Sequence, residues 1–209
     1  MGQDLTSALE QWIRDGARSM GQVKIIPAEQ GFVLRHCEDS DGAELIEAKG
    51  PAAIRALVRD DEDGKFRPLK SAPNLRRGWI VRVANVAELH QVLDYFYPAA
   101  IGLLFAHRRG QLEPVNFRET TVRQTGMYSV TKTIADDEAD EMIGCFCKSQ
   151  DGCLRTILWQ LHSGRPIRSL PPEKFDPEAG EGLPILCAEA CNLLVAQARK
   201  IVKRRNRQT

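Results

Sequence analysis

Five of the six cysteines of this chain, Cys145, Cys147, Cys153, Cys187 and Cys191, fall in its last third, while Cys37 stands alone. Nothing else in the sequence constrains the fold as strongly. Met1–Thr6 shows neither a basic segment nor an apolar run, so no secretory signal is read and a cytoplasmic, reducing setting is expected. Met1-Gly2 with Thr6 also fits the short myristoylation pattern, which we read as chance ahead of an amphipathic helix carrying Trp12 and Ile13. Structural disulfides are rare in a reducing compartment, and grouped cysteines there bind metal or react. The bland reading is that such thiols are small buried hydrophobes.

The length, 209 residues, fits one large domain or two small ones and is enough to bury a core without staples. With 29 Lys+Arg against 28 Asp+Glu the net charge is +1, so no global basic field for nucleic acid exists and nucleic acid is not an expected partner. The apolar runs fall short of the ~20 residues of a membrane span, and no membrane partner is expected.

Hydrophobic periodicity organises the first part. Residues 4–20 read as a helix, 23–26 and 31–37 as strands, and 51–59 as a helix with Ile54, Leu57 and Val58 inward. The polar stretch 60–64 breaks the chain, 78–83 reads as a strand, and 86–97 as a helix stopped near Pro98. In the second part, 117–133 reads as a hairpin, 135–146 as a helix with an acidic start, and 153–162 as a helix. The stretch 164–183, with its prolines and glycines, reads as irregular, and a last helix runs from about 184 to 204. The expected fold class is α+β. A small mixed N-terminal domain (1–115) is followed by a mainly helical, cysteine-rich domain (116–209).

The first part gathers no chemistry. His36 lies beside Cys37, but His90 and His107 have no acidic or thiol partners at motif spacing. There is no glycine-rich phosphate loop, nucleophile elbow or H-E-x-x-H helix, and no catalytic residue is expected.

The cysteine spacing is Cys145-x-Cys147-x5-Cys153-x33-Cys187-x3-Cys191. On a helix, Cys187 and Cys191 would lie one turn apart on one face, and Cys153 would start another helix, so two helix N-termini would point at one place. Cys145 follows Glu138 and Glu141 on the solvated face of its helix, whereas Cys147 follows the apolar Ile143. The expected ligand set is therefore Cys147, Cys153, Cys187 and Cys191. Four thiolates suit an iron–sulfur cluster or structural zinc, and the spacing alone does not separate the two. A zinc-stabilised interaction module with a basic C-terminal tail is the alternative reading.

Three runs carry a resemblance: Arg123-Gln124-Thr125-Gly126-Met127-Tyr128, Cys153-Leu154-Arg155-Thr156-Ile157-Leu158-Trp159, and Cys187-Ala188-Glu189-Ala190-Cys191-Asn192-Leu193-Leu194-Val195. They resemble a C-terminal 4Fe–4S-binding region attached to some bacterial sirohydrochlorin cobaltochelatase-like proteins. The preceding part, with Gly78-Trp79 and Tyr97-Pro98, is similar to the α+β stabilising domain that accompanies it. The resemblance implies one 4Fe–4S cluster on the four chosen cysteines and a link to tetrapyrrole metabolism. A redox partner protein or a tetrapyrrole enzyme is the implied partner. These residues leave no room for a chelatase domain and show no paired histidines, so stand-alone chelatase activity is not expected. Arg155 and Lys148 are candidates to offset cluster charge, and Trp159 and Met127 to exclude water. His162 is read as a helix-end residue. Arg199, Lys200, Lys203, Arg204, Arg205 and Arg207 make a local basic patch suited to a helix C-terminus or an acidic partner.

Overall fold

The computed structural model describes residues 4–40, 42, 44–59, 75–123, 133–147, 153, 155–164 and 182–207. The expected break at 60–64, most of the irregular stretch 164–183, the Met1–Gln3 segment, Met127 and Lys148 lie outside them. The described residues form an α+β fold of seven helices and seven strands. The chain divides into two units, Met1–Arg109 with Pro172–Ile185, and Gly110–Pro171 with Leu186–Thr209.

The first unit is built on a five-stranded sheet of order β1-β2-β3-β5-β4. Its strands are β1 (Ser19–Met20), β2 (Val23–Pro27), β3 (Phe32–His36), β4 (Ile46–Glu47) and β5 (Trp79–Val83). All pairings are antiparallel except β4 with β5. Val23 and Ile25, and Trp79, Val81 and Val83, are buried at alternate positions, which is the period-two pattern of a half-covered sheet. Gly31 permits the β2–β3 turn: at φ +82 an added Cβ would lie 1.9 Å from the Val83 carbonyl oxygen.

Helix α1 (Leu5–Arg14) is capped by Asp4, whose carboxylate accepts the Ser7 N–H at 2.8 Å, and it buries Ala8, Leu9, Trp12 and Ile13. It stops at Arg14, short of the expected residue 20, because Gly16 at φ +109 turns the chain into β1. Helix α2 (Gly50–Arg59) buries Ile54 and Val58. Helix α3 (Val86–Phe96) opens on a capping box, with Asn85 accepting from the Glu88 N–H at 2.9 Å and Glu88 accepting from the Ala84 N–H at 2.8 Å. Its Phe96 stacks on Trp79 with centroids 4.8 Å apart. A further helix, α4 (Ala100–Arg108), follows Pro98 where none was expected.

The second unit departs more from expectation. Residues Phe117–Arg123 form helix α5 and not the first arm of a hairpin; 124–132 lie outside the described residues. The Asn116 side chain accepts the Arg118 N–H at 2.8 Å, which satisfies a first-turn donor that a strand would have paired elsewhere. Helix α6 (Asp136–Cys147) lies where expected. The expected helix over 153–162 is instead strand β6 (Arg155–Ile157) with an extended continuation. Ile157, Trp159 and Leu161 are buried at alternate positions, and the Gln160 N–H donates to the Val115 carbonyl at 2.9 Å. The last helix does not begin near Pro184. Strand β7 (Ile185–Cys187) pairs with β6, and helix α7 (Asn192–Arg205) starts only after Cys191. The core gathers Phe117, Met142, Ile143, Trp159, Leu194 and Val195 among others.

Candidate cluster-binding site

The four expected ligands arise from three separate stretches of the second unit. Cys147 is the last residue of α6 and is half-buried against the core. Cys153 lies two residues before β6 and is also half-buried. Cys187 ends β7, and Cys191 is the N-cap of α7. Cys187 and Cys191 therefore share no helix face: a strand end and a helix start replace the expected turn. One helix N-terminus, that of α7, stands at the cysteines where two were expected, because Cys153 introduces a strand. Cys145 is exposed on α6, and Cys37 is exposed in the first unit.

Cys187 is the electrostatic centre of the group. Its pKa is pushed up to about 11, first by burial; the nearby Trp159 indole N–H lowers it, the charges of Cys191 and Cys153 raise it, and Arg155 lowers it. Cys153, Cys187 and Cys191 thus lie near enough to feel one another. Among the described residues no three His, Cys, Asp or Glu side chains already stand as a preformed metal cage. In the thiol form the Cys187 Sγ donates to the Glu189 carbonyl at 3.1 Å.

The surrounding residues belong to the same strand pair. The Leu158 N–H donates to the Cys187 carbonyl at 3.0 Å, which fixes Trp159 beside the cysteine. Trp159 is 2% exposed, stacks on Phe117 at 5.6 Å, and its buried Nε1 makes no hydrogen bond. The Arg155 Nη1 donates to the Leu186 carbonyl at 3.2 Å, holding a guanidinium near Cys187. His162 is no ligand candidate. It stacks on Phe117 at 5.5 Å, and its backbone N–H donates to Asp136, which also accepts from the N–H and hydroxyl of Ser163.

These residues fit an iron–sulfur centre on their own chemistry. Soft thiolates are the donors such a centre takes, and a buried thiol with a raised pKa becomes a thiolate when a metal supplies the compensating charge. Sequence reasoning reads Trp159 as plain core or as a water-excluding wall over the cluster. The unbonded indole N–H facing a cysteine becomes visible only once the 153–162 segment is seen to be extended.

The comparisons decide the cofactor. Residues 109–200 match the model of a 4Fe-4S iron-sulfur cluster binding domain, and residues 5–108 that of the DR2241 stabilising domain. Taken together, the two matches make most of this chain similar to a 4Fe–4S cluster-binding domain preceded by a DR2241 stabilising domain. Among solved structures the chain is similar to DR2241 from Deinococcus radiodurans, a multi-domain protein described as structurally similar to chelatases with two additional novel domains. The two share 31% identity with a TM-score of 0.75, over 96% of this chain but only 42% of that one. No curated protein matches the chain. Zinc, the alternative left open by spacing, has no comparison in its favour. No helix among the described residues is long and apolar enough to cross a membrane.

Proposed function

We propose that the second unit holds one 4Fe–4S cluster on Cys147, Cys153, Cys187 and Cys191 and uses it for electron transfer or redox sensing in the cytoplasm, beside a tetrapyrrole-modifying enzyme. The observation that carries this reading is that Cys153 and Cys191 lie close enough to Cys187 to act on its thiol, inside the matched cluster-binding domain. The bound cluster would supply one-electron uptake and release. The protein's part is to desolvate the thiolates, exclude water with Trp159 and the core behind it, and offset negative charge with Arg155. Ligation by four cysteines leaves no iron open to substrate, so direct catalysis by this chain is not part of the reading. The link to tetrapyrroles rests on the chelatase-like description of DR2241, of which this chain covers less than half.

Anaerobic purification followed by visible absorption, iron and acid-labile sulfide analysis tests the cofactor. A brown protein with about four irons and four sulfides is expected. A colourless protein with stoichiometric zinc and no sulfide overturns the proposal in favour of a zinc-stabilised module. Reversible reduction with a single midpoint potential is expected of the loaded protein; a redox-inert cluster overturns the electron-transfer role.

A further inference from the structure

The Trp159 indole is a buried polar group with no use in the bare fold. Its Nε1–H is sequestered from water and makes no hydrogen bond, and a buried donor left unsatisfied is destabilising. Packing against the core needs the ring but not its N–H. The ring is pinned from two sides: by its stack on Phe117, with centroids 5.6 Å apart and planes at 27°, and by the Leu158 N–H to Cys187 carbonyl bond in the adjacent backbone. Cys187 and Trp159 pack against the same core.

The sulfur is meanwhile engaged elsewhere. As a thiol, Cys187 donates its proton to the Glu189 carbonyl. That bond exists only while the proton does. Once the sulfur is a ligated thiolate it is an acceptor, the Glu189 carbonyl has nothing to receive, and the sulfur needs donors instead.

We propose that the Trp159 Nε1–H is the hydrogen-bond donor to the Cys187 sulfur in the cluster-loaded protein, exchanging places with the Glu189 carbonyl, and that this bond raises the cluster's reduction potential. A donor to a ligating sulfur withdraws electron density and favours the more negative, reduced state of the centre. The Leu158 N–H to Cys187 carbonyl bond between the paired strands β6 and β7 puts the residue carrying this indole next to the backbone of Cys187. Trp159 is then a positioning residue that tunes the centre without touching iron. The inference rests on Cys187 being a ligand, as read above.

The test uses the full chain, loaded with cluster under anaerobic conditions. Trp159→Phe removes the N–H with some loss of ring area. Replacement of Trp159 by benzothienylalanine removes only the N–H and keeps the shape. Both variants are expected to retain iron and sulfide and to show a lower midpoint potential than the wild type by voltammetry. One Fe–S(Cys) stretching band in the resonance Raman spectrum should shift on deuterium exchange in the wild type and not in either variant. Wild-type potential in the benzothienylalanine protein overturns the proposal and leaves Trp159 as packing alone, even if Trp159→Phe loses the cluster. A wild-type protein that takes up no cluster overturns the cofactor reading itself and this inference with it.

Discussion

At the scale of single residues, the pair Cys145 and Cys147, separated by one residue, offers the sharpest discrimination. The two thiols sit on one helix, one exposed and one half-buried against the core. Cys147→Ser is expected to lose at least three-quarters of the bound iron and to lower the melting temperature of the second unit, because cluster binding and folding are coupled. Cys145→Ser should keep wild-type iron content and spectrum. The reverse result in iron analysis would exchange their roles. His162 gives a pH dependence. Its pKa lies below the usual 6.5, first because of burial and then because of Arg118, with Asp136 pulling the other way. The folded state therefore binds fewer protons than the unfolded state, and its stability falls as pH drops through about 6.5. Asp136, raised by burial but lowered on balance by its hydrogen bonds to Ser163 and His162, adds a loss only further down, below 3.8. Urea midpoints measured from pH 8 to 5 should decline for the wild type and decline less for His162→Gln. Equal slopes would remove His162 from the account.

At the scale of elements, the sequence was legible where one periodicity stood alone. Helices α1, α3 and α6 and strands β2, β3 and β5 each show a single pattern, and each lies within a few residues of expectation apart from the end of α1. The segment 153–162 carries two patterns at once. Leu154, Ile157, Leu158 and Leu161 repeat as on a helix, while Ile157, Trp159 and Leu161 alternate as on a strand. Pairing with β7 and the bond from the Gln160 N–H to the Val115 carbonyl select the second, and neither partner is near in sequence. Residues Phe117–Arg123 fail in the opposite sense. Their β-favouring Thr120, Thr121 and Val122 are overruled by the local Asn116 side chain, which caps α5 and also donates to the Leu161 carbonyl at 2.7 Å. Asn116→Ala removes both bonds and is expected to cost about 1–2 kcal/mol in urea unfolding of the second unit. In the first unit, Gly31→Ala drives a Cβ into the Val83 carbonyl at a positive φ and is expected to cost at least about 2 kcal/mol. A change under 0.5 kcal/mol would show that the β2–β3 turn moves aside.

At the scale of the whole molecule, all four proposed ligands lie in the second unit, while the five-stranded sheet lies in the first. Cys147 and Cys153 lie 34 or more positions before the Cys187–Cys191 pair, so a centre shared among them closes one long loop and restricts the unfolded ensemble of that unit alone. The first unit has its own sheet, its own capped helices and its own aromatic stack, none of which includes a ligand cysteine. Removing the iron with a chelator under anaerobic conditions should therefore act unevenly. Calorimetry of the loaded chain is expected to show two transitions, and chelation should lower the one belonging to the second unit by at least about 5 °C. That shift corresponds to roughly 1 kcal/mol in a unit of this size. Hydrogen exchange assigns the transitions: amides of α6, β6, β7 and α7 should lose protection on chelation, while those of α3 and β5 keep it. Parallel loss in both sets would mean that the two units unfold as one block and that the cluster stabilises the entire chain.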